Sequence, residues 1–318
     1  MKNLKNNFKI VSFYRFVKIK NKVAIKKKLD VYLKEKFLKG TILISDEGIN
    51  GSISGIEDDV FETLILVKKL VSIKKISLNI NEINFLPFNQ MKVRLKNEIV
   101  SLGIKNLEVK SNYKYANFDE WNKLITDKKI KIIDVRNQYE IDIGKFKNSI
   151  NPRTKNFREF PSEFKKMGIK KSDKIAMYCT GGIRCEKASA LLKSDGFKNV
   201  IQLKGGIVNY LKACKENNIK SKWDGECFVF DNRVTINNNL EKGSYTQCFG
   251  CRRPLTKKDT LSINYKKGVH CSNCIDLRSS EQKEKSYNRQ RYIEWLDLNK
   301  IKHNFRSIGF DELKNLKK

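Results

Sequence analysis

Cys179 stands in the run Tyr178-Cys179-Thr180-Gly181-Gly182-Ile183-Arg184-Cys185, where a thiol is followed by two glycines and an arginine. Upstream, Lys174-Ile175-Ala176-Met177-Tyr178 reads as a short buried strand. Downstream, Ala188, Leu191 and Leu192 recur at helical spacing as far as Gly196, a C-cap. The pattern predicts a cysteine in a strand-to-helix turn. Gly181 and Gly182 would let the backbone turn tightly and aim successive N–H groups inward, an anion nest at the positive end of the helix. With the Arg184 cation close by, such surroundings lower a cysteine pKa from about 8.5 by roughly a unit or more and make the sulfur a nucleophile. The alternative is an inert buried cysteine on a glycine turn. Four residues, Thr180 to Ile183, separate Cys179 from Arg184, fewer than a phosphatase-type loop places there. The tighter ring suits a small group carried on sulfur, such as a persulfide, better than a phosphoryl group. Cys185 either resolves a Cys179 persulfide or sulfenate as a disulfide or is a small structural residue under the loop.

A second constellation is Cys248-Phe249-Gly250-Cys251, then nineteen residues, then Cys271-Ser272-Asn273-Cys274. Two CxxC knuckles at this separation are the pattern of a four-thiolate zinc site, whose closed shell would hold a small domain together and leave no position for a substrate. Disulfides and an iron–sulfur cluster are the alternatives. His270 could replace one thiolate, and His303 has no partner in the sequence. Both read as ordinary surface or packing residues. Arg252-Arg253 beside the first knuckle, Lys266-Lys267 before the second, and Arg289 with Arg291 beyond would put cations on one module. They form a phosphate-binding surface or a merely solvated face. Residues 281–298 read as an amphipathic helix in which Tyr287, Tyr292, Trp295 and Leu298 stack on bases or, as is more common, pack.

The elements that must position these groups begin with Phe8 to Val17, a strand rich in β-branched and aromatic residues. Val23 to Phe37 has helical periodicity, and Thr41 to Ile53 looks like paired strands around a Gly48/Gly51 turn. Val60 to Val71 is helical again, and strands are expected near Ile76 to Ile80 and Met91 to Leu95. Strand, helix, strand, strand, helix, strand is the order of a ferredoxin-like or acylphosphatase-like sandwich, which by itself assigns no function. Glu47-Gly48-Ile49-Asn50-Gly51 is a substrate loop or a hairpin that needs glycine. Asn217 to Asp224 and Asp231 to Gly243 are polar stretches that read as linkers, and no internal repeat is present.

Ile132-Ile133-Asp134-Val135-Arg136, Glu140, Gly144 and Ser149-Ile150-Asn151-Pro152, together with the cysteine loop, resemble the rhodanese family over roughly residues 113 to 220. The resemblance implies that Asp134 and Arg136 end a parallel strand beside the loop, more as a brace than as chemistry, and that Gly205-Gly206 starts the last helix. Gly40-Thr41-Ile42-Leu43-Ile44-Ser45, Glu47 to Gly51, Pro87-Phe88, and Met91 to Arg94 through Glu98-Ile99-Val100 resemble the amino-terminal domain of the oxygen-dependent tRNA uridine hydroxylases. That likeness runs nearly end to end. It implies an N-terminal ferredoxin/acylphosphatase-like α+β domain (1–105), a central rhodanese-like α/β domain with a parallel sheet (113–220), and a small cysteine-rich, zinc-ribbon-like region (223–318). It also implies hydroxylation of the wobble uridine of tRNA at C5, giving 5-hydroxyuridine, with molecular oxygen as co-substrate and an unidentified reductant. Cys179 would be the nucleophile, as such or through a persulfide, with the N–H groups of Thr180, Gly181, Gly182, Ile183 and Arg184 steadying its charge. No dinucleotide fingerprint or other organic-cofactor motif is recognisable. The same loop would serve a sulfurtransferase acting in tRNA thiolation, and a non-enzymatic RNA-binding zinc protein is a third reading.

The chain has 318 residues, enough for two or three domains, and eight cysteines. Its charge of +31 makes a strong field for polyanions, with RNA and not DNA the expected partner. Lysines supply 53 of the 66 basic residues in a chain crowded with Asn and Ile, as an AT-rich genome also produces, so only local clusters count. No run is long and apolar enough for a membrane span, and Met1 to Val17 lacks a signal-peptide plan. A cytoplasmic protein whose thiols serve metal and catalysis is expected.

Overall fold

The computed structural model describes residues 8–110 and 113–301. The first layer follows the expected order: β1 (Phe8–Phe16), α1 (Lys22–Leu33), β2 (Leu38–Ser45), β3 (Gly48–Gly55), α2 (Glu57–Leu70) and β4 (Ser77–Ile83), with β5 (Met91–Leu95) added at an edge. The strands lie in the order β4-β1-β3-β2-β5, antiparallel except for the β2–β5 pair. Alternation along β1 sets the two faces. Val11 and Phe13 pack beneath the helices with Leu29, Leu33, Val60 and Leu64. Ser12 and Tyr14 therefore belong to the face without helices, where their cross-strand partners are Ser52 and Asn79, and Asn50 and Ser77. Around Ser12 and Tyr14 that face is polar and turns toward the second domain, while Phe8 and Ile10 farther along it pack with Ile83 and Leu86. Glu57, Asp58 and Asp59 in the first turn of α2 and Lys68 and Lys69 in its last complement the helix dipole.

One expectation for this domain needs correcting. The β2–β3 connection is the tight link at Asp46 and Glu47, and Gly51 lies inside β3 rather than in the turn. Gly51 is opposite Phe13, and a Cβ there would come within 2.6 Å of the Phe13 ring, so this glycine makes room for an aromatic side chain.

The second domain contains β6 (Lys114–Ala116), α3 (Phe118–Leu124), β7 (Ile130–Asp134), α4 (Gln138–Ile141), β8 (Gly144–Phe146), α5 (Phe160–Lys166), β9 (Lys174–Tyr178), α6 (Ile183–Ser194), β10 (Val200–Leu203) and α7 (Gly206–Glu216). Its parallel sheet runs β6-β10-β9-β7. Central β9 is apolar on both faces because both are covered. Ala176 and Tyr178 pack with Trp121, Tyr210 and Leu211 of α3 and α7, while Ile175 and Met177 pack with Phe160, Phe164 and Leu192 of α5 and α6.

Parts of the stretches expected as linkers are packed, although residues 217–222 and 237–243 stay largely at the surface. β11 (Trp223–Gly225) pairs with β8, and Trp223 enters the core between Phe146 and the Arg136 guanidinium. β12 (Cys227–Phe228) pairs with β13 (Thr235–Ile236), and Cys227, Val229 and Ile236 complete the same core. Polarity misled here because Asp231 and Arg233 neutralise each other at 2.6 Å.

β14 (Thr246–Gln247), β15 (Pro254–Leu255), α8 (Lys257–Thr260) and α9 (Ser280–Leu298) form the cysteine-rich part. In α9 the aromatic residues do not make a packed face: Tyr287, Tyr292, Trp295 and Leu298 are exposed, and Ser286, Gln290 and Leu296 are buried. The helix docks through polar contacts. Arg278 bonds Ser286 and the Gly250 carbonyl, and Arg289 bonds the Gly268 carbonyl. Among the described residues no helix is long and apolar enough to cross a membrane.

Candidate active site

β9 ends at Tyr178 and delivers Cys179, 1 % exposed, into the turn before α6. The loop rests on the start of α7, whose Ile207 and Val208 N–H groups donate to the carbonyls of Cys179 and Thr180. Gly206 makes this contact possible, because a Cβ there would overlap the Cys179 carbonyl oxygen. Gly182, at φ +97°, caps α6 and donates its N–H to the Cys179 Sγ across 3.1 Å. Gly181, expected to be required by the turn, has no left-handed φ, and a Cβ on it would meet nothing closer than the Asn79 side chain at 3.8 Å. Its smallness opens the cavity in front of the sulfur rather than permitting the bend.

Burial pushes the Cys179 thiol up, but the Cys185 side chain, the Arg184 charge and the N–H groups of Cys185 and Arg184 outweigh it and bring the pKa down to about 6. Cys185 is held well above the ordinary thiol value, by burial first and then by its bond to Cys179. It is thus the proton donor of the pair. Arg184 does not clasp the sulfur. Its Nη1 and Nη2 donate to the buried Glu140 carboxylate at 2.7 and 2.6 Å, and Nη2 reaches Thr180 Oγ1 at 3.3 Å. Arg184 therefore fixes the loop and acts on the thiolate through space.

Asp134 and Arg136 form a brace, fully buried. Arg136 Nε and Nη2 donate to Asp134 at 2.9 and 2.6 Å, and the guanidinium also caps the carbonyls of Glu140 and Gly144. The pair positions α4, whose Glu140 meets Arg184 and Thr180 of the loop, so it supports the loop from behind and does not touch Cys179 itself.

The polar face of the first domain closes the site. Tyr14 of β1 and Tyr115 of β6 both donate to Glu186 Oε1 at 3.1 Å, and burial raises the Glu186 pKa. The next residue, Lys187, reaches Glu47 and Glu98 at 2.8 and 2.5 Å. Glu47-Gly48-Ile49-Asn50-Gly51 is thus a hairpin turn running into β3, whose Glu47 docks on α6 and accepts the Ile99 N–H while Asn50 donates to the Ile99 carbonyl. Asn79 donates to the Gly205 carbonyl. Between the domains lies a cavity of 1370 Å³, lined by Cys179, Thr180, Gly181 and Arg184 on one side and by Ser12, Tyr14, Asn50 and Asn79 on the other. Sequence reasoning missed Glu186, Lys187, Tyr14 and Tyr115. Glu186-Lys187 looks like solvated helix surface until the first domain is laid over it.

The sulfurs of Cys248, Cys251, Cys271 and Cys274 all lie within 4.8 Å of one another, with three pairs at 3.8, 3.8 and 3.9 Å. A tetrahedron with metal–sulfur distances of about 2.3 Å has edges of about 3.8 Å. The four cysteines can hold one metal ion. His270 Nδ1 is turned to the Asn264 carbonyl and is not among them. His303 lies outside the described residues. Arg252 stacks on Phe249, Lys266 sits 4.1 Å over the Tyr287 ring, and Arg289 is depressed in pKa by burial and by the charges of Arg252 and Arg278. None of Arg252, Arg253, Lys266 and Lys267 lines the Cys179 cavity.

Residues 8–99 match the UPF0176 acylphosphatase-like domain, and residues 117–213 match the rhodanese-like domain. The chain is 44% identical over 299 residues to the tRNA uridine(34) hydroxylase of Pelagibacter ubique (strain HTCC1062), covering 94% of this chain and 98% of that one. Among solved structures, a rhodanese-related protein from Thermoplasma volcanium aligns at 26% identity, covering 32% of this chain and 93% of that one with a TM-score of 0.26. A single domain sulfurtransferase from Saccharomyces cerevisiae aligns at 23% identity, covering 33% and 94% with a TM-score of 0.28.

Proposed function

The chain belongs to the tRNA uridine(34) hydroxylase family, and we propose that it hydroxylates C5 of the wobble uridine of tRNA to give 5-hydroxyuridine. One atom of molecular oxygen goes to the base, and two electrons and two protons from a reductant take the other to water. The observation that carries this reading is a cysteine with its pKa lowered to about 6 on the floor of a cavity large enough for a nucleotide.

Cys179 is the nucleophile, as thiolate or persulfide. The N–H groups of Gly182, Arg184 and Cys185 steady the sulfur anion, Arg184 adds positive charge, and the Cys185 thiol donates a hydrogen bond. Thr180, Gly181 and Ile183 shape the cavity wall, and Asp134 with Arg136 hold the loop from behind. We assign domains to 1–105, 113–220 and 223–318, with residues 223–236 folded onto the second body. Cys248, Cys251, Cys271 and Cys274 would hold zinc, whose closed thiolate shell supplies structure and no open coordination position. Arg252, Arg253, Lys266 and Lys267 are assigned to tRNA phosphates, and the protein to the cytoplasm.

Digestion of tRNA from cells lacking the protein, complemented with wild type or Cys179→Ser, followed by mass spectrometry of the nucleosides, tests the reading. Loss of 5-hydroxyuridine derivatives in the deleted and Cys179→Ser cells, restored by wild type in air, is expected. A thiolated nucleoside disappearing instead would assign sulfur transfer, and no change in either would leave an RNA-binding role.

A further inference from the structure

A buried sulfur at a cavity floor constrains how RNA can reach it. A base in an RNA loop must leave its neighbours and enter the cavity, and it then loses stacking energy. Resting on the reading above, we propose that the extruded uracil stacks on Phe230, which replaces the lost neighbour. Phe230 is 64 % exposed although Phe228 and Val229 beside it are buried. It lines the same cavity as Cys179, Thr180 and Gly181.

The ring is held before any ligand arrives. Phe228 meets it edge-on at 5.1 Å, and the Arg184 guanidinium lies 5.8 Å from its centroid. The backbone around it is closed by Val229 N–H to the Val234 carbonyl at 2.9 Å and by Asp231 with Arg233. The Asn232 N–H ties the loop to the Pro87 carbonyl of the first domain at 2.8 Å. A single exposed phenylalanine is ordinary. An exposed one on a loop fixed to both domains, facing the reactive sulfur's cavity, has the form of a stacking platform. Such platforms work with cations that track the backbone. Arg15, Arg158 and Lys204 line this cavity too, and the Arg15 Nε is buried with no hydrogen-bond partner among the described residues.

The test uses the full chain and two fluorescein-labelled stem-loop RNAs, one with uridine at the target position of the loop and one abasic there. Wild type is expected to bind the uridine RNA more tightly. Phe230→Ala should weaken binding of that RNA by about 5- to 160-fold, the loss typical of a base–aromatic stack, and leave the abasic RNA unchanged. Phe230→Trp should retain the preference, and Phe230→Leu, apolar but without a ring face, should not. Stacking on Phe230 is overturned if Phe230→Ala leaves the uridine RNA unaffected or weakens both RNAs alike. If hydroxylation still depends on Cys179 in that event, only the platform falls. If wild type neither discriminates the two RNAs nor yields 5-hydroxyuridine, the platform and the hydroxylase reading fall together.

Discussion

Lys187 places its Nζ 2.8 Å from a Glu47 carboxylate oxygen across the seam between the first two domains. Its side chain is 1 % exposed, and Glu98 is its second partner. The preceding residue, Glu186, bonds Tyr14 of the same opposing domain, so the helix behind the Cys179 loop is anchored by two adjacent buried charges of opposite sign. Removing one partner of a buried pair costs more than the pair contributes, because the other charge is stranded. Lys187→Met is expected to destabilise the protein by about 3 kcal/mol, near the low end of that class because both carboxylates still reach water. Denaturant titration measures it, and a double-mutant cycle with Glu47→Gln isolates the coupling. Zero coupling would show that the contact carries no energy.

The reactivity of Cys179 should follow its lowered pKa. Alkylation by iodoacetamide is expected to be flat above the midpoint of about 6 and to fall tenfold per pH unit below it. Since the folded value lies under the unfolded one, the thiolate's contribution to stability is fully present above the unfolded pKa and is lost as pH falls through about 6. Cys185→Ala removes a hydrogen-bond donor and should move the midpoint upward, while Cys185→Ser should largely restore it. An unshifted midpoint in Cys185→Ala would mean that the N–H groups and Arg184 suffice.

Two glycines of the loop region should respond oppositely to alanine. Gly206 has φ +70°, and a Cβ there would overlap the Cys179 carbonyl oxygen and lie 2.7 Å from that of Thr180. The left-handed backbone alone costs about 1–2 kcal/mol for a side chain, and the overlap adds to it. Gly206→Ala should lower Tm and slow Cys179 alkylation. Gly181→Ala meets no conformational barrier, so its Tm should stay within about a degree or two while KM for tRNA rises, because the methyl enters the cavity. Equal losses of Tm in both variants would contradict the assignment of separate roles.

Much of the fold was legible because its signals are local. The apolar run of β9, the glycine turn after it and the helical repeat of α6 place Cys179 without tertiary information. The two CxxC knuckles likewise announce four converging sulfurs. What the chain hides is made between distant segments. Glu186 and Lys187 look solvent-facing until segments some ninety to 170 positions earlier are laid against them. Trp223 lies in a polar stretch, yet its ring is held by Arg136 and Phe146. The aromatic residues of α9 misled in the other direction, because that helix docks through Arg278 and Arg289 instead of an apolar stripe.

The four-cysteine module and the Cys179 domain should come apart on metal removal. Leu255 and the cysteines form a small core of their own, whereas the second domain's apolar clusters draw on nothing beyond Tyr245. A module with so small an apolar core depends on its metal for folding energy. Purified protein is therefore expected to carry one zinc per chain. A strong chelator should expose residues beyond about 245 to protease, a position read from where β14 begins, and leave the rest of the chain intact. Cys179 alkylation should be unchanged, since none of the four cysteines lines its cavity. Affinity for tRNA should fall and lose part of its salt dependence, because Arg252, Lys266 and Arg289 are held in place only by the folded module. Metal analysis with limited proteolysis decides the structural half of this prediction. Undiminished tRNA binding by the stripped protein would move the phosphate contacts to the cations of the cavity wall, Arg15, Arg158 and Lys204.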